Sequence, residues 1–145
     1  MEAAEFLRNL DLFKQLKEEE LERLASRLNL LSLPVGLIIK DNDAADGLYI
    51  IKVGMAKVTK SSADTAGVEA VLAILRPGNS FGELSLIDGQ PRSANVSAMT
   101  PLSAYFLPRD VFLSTLRENP DLAMGLLQAL TGMVRSANQW VSQLV

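Results

Sequence analysis

Apolar residues change their period twice along this chain, and the two changes divide it into three parts. Between residues 4 and 28, Leu7, Leu10 and Phe13, then Leu21, Leu24 and Leu28, recur at helical spacing. Lys17, Glu18, Glu19, Glu20, Glu22 and Arg23 fall on the other side and read as a solvated face. The break at Asp11-Leu12-Phe13 reads as a tight turn between two short helices. From Leu30 to about Leu107 the pattern shortens to β-rich runs: Leu30–Leu33, Gly36–Lys40, Leu48–Val53, Met55–Lys60, Val68–Leu75, Ala94–Met99 and Leu102–Leu107. Turn signals separate them at Pro34, Asp46-Gly47, Gly54, Ser61–Gly67, Arg76-Pro77-Gly78-Asn79 and Thr100-Pro101. Short strands at such even spacing predict an antiparallel sandwich or barrel, interrupted by about one helical turn at Glu83–Leu86.

The helical period returns after Leu107. Pro108 is placed to open a short helix over roughly 108–117, and Glu118-Asn119-Pro120 to open a longer one. In that last helix Leu127, Leu130, Val134, Ala137, Val141 and Leu144 step by alternating threes and fours. Such a stripe can pack on the protein's own barrel or on a second helix. Sustained over a terminal helix, it points to self-association. The expected organisation is a single domain over 1–145: an N-terminal helical segment at 1–28, a barrel at 29–107 with a short helix near 83–88, and C-terminal helices at 108–145.

Composition narrows the chemistry. With 145 residues and 48% apolar content the chain can bury a core, and 6% aromatic content makes that core mostly aliphatic. A net charge of −3 argues against general nucleic-acid binding, which needs a basic face. Cysteine and histidine are both absent. That removes disulfides, thiolate metal sites, His-based zinc and iron sites, and Ser-His-Asp or Cys-His nucleophiles. Met1-Glu2-Ala3-Ala4-Glu5 is acidic where a secretory signal is basic. The longest apolar stretch, Leu28 to Ile39, is interrupted by Asn29, Ser32, Pro34 and Gly36 and is too short to span a bilayer. The chain reads as cytoplasmic, with no membrane contact and no metal.

One segment carries the candidate chemistry: Phe81-Gly82-Glu83-Leu84-Ser85-Leu86-Ile87-Asp88-Gly89-Gln90-Pro91-Arg92-Ser93-Ala94. It sets a carboxylate nine residues before a guanidinium. A carboxylate accepts a hydrogen bond from a sugar hydroxyl, and a guanidinium clamps a phosphate with paired donors. Small residues beside them let backbone N–H groups approach the same anion. By themselves Glu83 and Arg92 read equally well as a surface ion pair of little energetic value.

The helix–barrel–helix order and this cassette resemble the cyclic-nucleotide-binding domain. That module is the sensor of catabolite-activator-type bacterial regulators, kinase regulatory subunits and cyclic-nucleotide-gated channels. The resemblance extends over Leu33-Pro34-Val35-Gly36, Asp46-Gly47-Leu48-Tyr49-Ile50-Ile51, Gly54 and Arg76-Pro77-Gly78 to the cassette, where the family pattern F-G-E-L-[AS]-L…P-R-[SA]-A is matched nearly letter for letter. It implies a mainly β fold with flanking α: an antiparallel β-roll or jelly-roll barrel with an N-terminal helix and two C-terminal helices. It implies that Glu83 accepts the ribose 2′-hydroxyl and that Arg92 binds the cyclic phosphate. Backbone N–H groups around Leu84, Ser85 and Ala94, and the Ser93 hydroxyl, join the phosphate site. The resemblance implies that Phe81 and Gly82 also belong to the ligand-binding set, and that the base lies against aliphatic barrel residues, with Leu72 and Ala73 as candidates. The chain departs from the family at Lys40-Asp41-Asn42-Asp43, where many members carry a glycine, and in the last helix, Met133-Val134-Arg135-Ser136-Ala137-Asn138. Arg135 and Asn138 are candidates to reach the base. Trp140 is a candidate lid, with an amphipathic anchor as its plainer role.

The resemblance implies a sensor without enzymatic activity. Its ligand is cyclic AMP, with cyclic GMP as the alternative; its partners are a second copy through the C-terminal helix and an unknown protein effector. No helix-turn-helix segment follows, so direct DNA binding by these residues is not expected. A scaffold that keeps the fold without the ligand, and the sensor fragment of a larger regulator, are the competing readings. A cupin-type barrel enzyme is excluded by the missing histidines.

Overall fold

The computed structural model describes residues 2–10, 13–14, 16–39, 46–61, 69–82, 89 and 94–144, with the backbone alone described at 2, 61, 69, 129, 133 and 136–144. The helical turn expected near 83–88 lies outside them. The chain divides into two compact units: Met1–Ser26 with Ser114–Val145, and Arg27–Leu113.

The second unit holds two four-stranded antiparallel sheets. Its strands are β1 (Asn29–Leu33), β2 (Gly36–Ile39), β3 (Gly47–Val53), β4 (Ala56–Ser61), β5 (Glu69–Leu75), β6 (Ser80–Phe81), β7 (Asn95–Ala98) and β8 (Leu102–Pro108). One sheet runs β1-β8-β3-β6, the other β2-β7-β4-β5. Their shared core draws Tyr49, Ile51, Phe81, Leu102 and Ala104 from the first sheet and Ile39, Ala56, Val96 and Ala98 from the second. Strand β3 explains why part of the pattern does not alternate. Leu48 and Ile50 are as fully buried as Ile51, so both faces of the strand are covered and the run is continuously apolar. Gly54, at φ +99°, turns the chain from β3 in one sheet to β4 in the other; a β-carbon there would sit 2.5 Å from the Pro101 carbonyl oxygen, so no larger residue fits.

Seven strands fall where the pattern places them, within a residue or so at each end. The eighth, β6, is additional. It has two residues, too few to show a period, and exists by pairing Tyr49 with Phe81 and Ile50 with Ser80.

In the first unit α1 (Glu2–Arg8) packs against α2 (Glu18–Ala25). Residues Leu7, Phe13, Leu21 and Leu24 are buried. Glu20 accepts a hydrogen bond from the Lys17 N–H at 3.1 Å, and the acidic first turn Glu18-Glu19-Glu20 suits the positive end of the helix. The charged face is not wholly solvated, because Arg8 forks onto both carboxylate oxygens of Glu18. Both side chains are about half exposed, so the pair adds little stability.

The C-terminal helices are α3 (Arg109–Glu118) and α4 (Pro120–Leu144). The first begins one residue later than the sequence suggests. Pro108 is still paired with Gly47 as the last rung of β8, and the Arg109 N–H donates to the Asp46 carbonyl at 3.0 Å. Asn119 makes the joint between the helices: its backbone N–H and its side-chain amide both donate to the Thr115 carbonyl, at 3.0 and 2.9 Å. Pro120 then occupies the first position of α4, where its missing N–H costs nothing.

Candidate functional site

The approach to the cassette is built from the turn after β5. Asn79 donates its N–H to the Arg76 carbonyl at 2.9 Å and accepts the Arg76 N–H on its side-chain oxygen at 2.8 Å. The turn is tied to β3 by Gly78 N–H to the Ile51 carbonyl and Ile51 N–H to the Asn79 carbonyl. This fixes β6 and places the Phe81 ring flat on Tyr49, with centroids 4.8 Å apart and planes within 5°. Tyr49 also meets Phe106 at 4.9 Å in a tilted pair. Its hydroxyl donates to Asp46 Oδ2 at 3.2 Å. Gly82 follows at φ +101°, a conformation that suits glycine and redirects the chain into the cassette.

Phe81 is therefore an anchor: it is 5% exposed and belongs to the core. Glu83, Leu84, Ser85, Arg92 and Ser93 lie outside the described residues. Within the cassette Gly89 is described, exposed, with the Arg109 guanidinium beside it: a β-carbon there would lie 3.5 Å from Nη2. Ala94, half-buried, ends the cassette and leads into β7.

Leu72 and Ala73 lie on β5, an edge strand, and both are exposed. Val58 pairs with Ala73 and Thr59 with Val71, so Leu72 is the extra residue of a bulge. A bulge bends its strand and re-aims side chains. Leu72, 59% exposed, thus presents an apolar side chain at the middle of β5. Strand β4 lies between β5 and β7, and Val58 and Thr59 pair with Val96 and Asn95 on the other side. Two strand spacings, about 10 Å, therefore separate the Leu72–Ala73 edge from the strand that Ala94 enters.

Thr59 is fully buried, and its hydroxyl has no hydrogen-bond partner among the described residues. A buried orphan hydroxyl costs about 1–3 kcal/mol. Thr59→Val, which keeps the shape and removes that group, is expected to raise stability by about 1 kcal/mol in urea unfolding. A loss of stability would mean the hydroxyl meets a bound water or ligand.

Arg135 is exposed on α4; Asn138 and Trp140 follow on the same helix, with only their backbone described. Among the described residues no group of His, Cys, Asp and Glu could hold a metal ion, and no helix is long and apolar enough to cross a membrane. Asp46 and Tyr49 belong to the Asp46–Ile51 motif of the sequence, and Arg109 follows the last strand directly. The signal for Arg109 is positional only, a cation directly after the last strand.

Similarities to known proteins agree with this architecture. The chain is 28% identical over 142 residues to the CRP-like cAMP-activated global transcriptional regulator of Mycobacterium tuberculosis, covering 97% of this chain and 62% of that protein. Its fold matches the crystal structure of the Thermus thermophilus catabolite activator protein with a TM-score of 0.83 at 30% identity, over 92% of this chain and 62% of that one. It also matches the regulatory domain of Toxoplasma gondii PKA in co-crystal with cAMP, with a TM-score of 0.71 at 28% identity, over 78% of this chain and 42% of that one. The chain thus spans 62% of the length of the two bacterial proteins. The profile of the cyclic nucleotide-binding domain matches residues 36–119, from β2 to the joint between α3 and α4 and more than half of the chain. The paired antiparallel sheets, the cassette entered through Phe81 and Gly82, and this match place the chain in the cyclic nucleotide-binding domain family.

Proposed function

We propose that this chain is a cyclic AMP sensor, not an enzyme. The observation that carries the reading is the Phe81–Ala94 cassette lying inside the matched region, with Glu83 and Arg92 both present. Arg92 supplies a planar fork of donors for the cyclic phosphate. Backbone N–H groups near Leu84, Ser85 and Ala94 and the Ser93 hydroxyl complete that site, and Glu83 accepts the ribose 2′-hydroxyl. The exposed Leu72 and Ala73 take the base. Cyclic AMP is chosen over cyclic GMP because the mycobacterial regulator is named for cAMP and the Toxoplasma domain was crystallised with it.

The two compact units act as one sensor. Ligand biases the cassette between two arrangements, and only a difference in affinity for them moves the equilibrium. The output passes through α3 and α4, either to a second copy or to a separate effector. Leu127 and Val134, seven residues apart on α4, are 56% and 59% exposed and form an apolar stripe suited to a second copy. A cytoplasmic setting suits a cysteine-free chain.

Isothermal calorimetry with cyclic AMP, cyclic GMP and linear 5′-AMP tests the reading. Cyclic AMP is expected to bind at least tenfold more tightly than 5′-AMP, whose open phosphate carries an extra charge and a different shape. Absence of heat and of thermal shift with both cyclic nucleotides would leave a scaffold that keeps the fold and refute the sensor.

A further inference from the structure

Each sheet ends in two edge strands, β1 and β6 in the first and β2 and β5 in the second. Strand β6 has two residues, β2 has four and an irregular register, and β1 carries Asn29 and Ser32. Strand β5, Glu69–Leu75, is the longest of the four and reads Ala-Val-Leu-Ala-Ile-Leu after its first residue. Ala70, Val71, Leu72 and Ala73 are exposed, and among the described residues β4 is its only strand partner. An edge of that length without lysine, proline or an internal charge is a template for another strand. Its one protective device is the bulge at Leu72.

The bulge also decides what the edge can pair with. Seven steps separate Glu69 from Arg76, the exposed residue after the strand, and an odd number would set the two positions on opposite faces. Because Val58 pairs with Ala73 and Thr59 with Val71, Val71 and Leu72 share one rung and a step is removed. The positions of Glu69, Val71, Ile74 and Arg76 then fall on one face, and those of Ala70, Ala73 and Leu75 on the other. Antiparallel strands related by a two-fold axis set one residue opposite its own copy. With Ala73 at that point, Ile74 meets Val71 of the second copy, Leu75 meets its Ala70 and Arg76 meets its Glu69, each contact made twice. Moving the axis one rung either way sets Glu69 against Ile74 or Arg76 against Val71, a charge against an apolar residue.

We propose that β5 is a self-association edge, through which two copies join antiparallel and fuse two four-stranded sheets into one of eight strands. The inference does not rest on the sensor reading. So few rungs make a contact smaller than a standard dimer interface, with a dissociation constant on the order of 0.1–1 mM. The pairing therefore closes above the micromolar range, and it is separate from the stripe on α4.

Sedimentation velocity of the full chain between about 10 μM and 1 mM tests it. Toward the upper end, wild type is expected to gain a species of twice the mass seen in dilute solution. Arg76→Glu and Glu69→Lys each set like charges opposite one another twice and should weaken that step by about tenfold or more. Combining the two restores opposite charges in reversed order and should regain the step. Val71→Lys, at a position 58% exposed, should abolish it while the melting temperature stays within a few degrees. Hydrogen exchange of the β5 amides should slow with concentration in wild type and in the charge-reversed double variant, and in neither single variant. Absence of the larger species at about 1 mM overturns the proposal. So does a larger species that persists in Val71→Lys, which would put the contact on another surface. Single and double charge variants that associate alike would rule out this register and with it the self-complementary edge.

Discussion

Arg92→Ala is expected to weaken cyclic AMP binding by about 10- to 150-fold while leaving the melting temperature of the free protein nearly unchanged. The estimate follows from what the guanidinium does. Hydrogen bonds to a charged group contribute about 1.5–3 kcal/mol, and a factor of ten in affinity is about 1.4 kcal/mol. The cyclic phosphate carries one negative charge shared by two exocyclic oxygens, which matches the paired donors of one arginine. Arg92→Lys keeps the charge as a point and should recover only part of the loss. Glu83→Gln is the complementary change. It weakens acceptance of the ribose hydroxyl, so its cost should be smaller and should vanish when the ligand is 2′-deoxy cyclic AMP. Calorimetry on the three variants with both ligands separates the phosphate contact from the ribose contact. Arg92→Ala binding as tightly as wild type would move the phosphate elsewhere, whatever the fold.

The sequence made most of the barrel readable because its strands are bounded by residues with strong local preferences. Pro34, Asp46-Gly47, Gly54 and Thr100-Pro101 all fall at or within a residue of strand ends. What it could not show depends on partners distant in the chain. Strand β6 exists only as a rung beside Tyr49 and Ile50, some thirty residues away. The bulge at Leu72 arises from a mismatch of register with β4, and no residue at Leu72 itself announces it. The one-residue delay of α3 comes from Pro108 pairing with Gly47. The candidate site divides in the same way. Glu83 and Arg92 are legible because charge and glycine recur at fixed offsets over fourteen residues, a local signal. The place of Arg109 beside Gly89 is a contact across twenty positions and has no local signal at all. Base selection is harder still, because its candidates divide between an edge strand, Leu72 and Ala73, and a helix of the other unit, Arg135, Asn138 and Trp140.

The seam on α4 leads to the second large effect. A chain bearing both Val134→Glu and Val141→Glu is expected to run at the monomer mass in light scattering, where wild type runs at twice that mass. Across a two-fold axis the two substitutions bring four carboxylates into the interface. Burying a charge without a partner costs about 3–5 kcal/mol, so two per chain exceed what a short apolar seam can return. The same change should spare the isolated chain. Val134 is 59% exposed there, and exposed substitutions usually stay within about 0.5 kcal/mol. Glutamate is also a better helix former than valine, so helicity measured by circular dichroism should hold or rise. A monomer with intact helicity therefore identifies the stripe as an interface. An unchanged mass disposes of the seam, and with it the route by which ligand would act on a second copy; the output would then have to leave α4 through a different protein. Comparing cyclic AMP affinity in the double variant and wild type completes the argument. If dimerisation and ligand favour the same arrangement of α3 and α4, the monomer must bind more weakly, because each reinforces the other by the same coupling free energy.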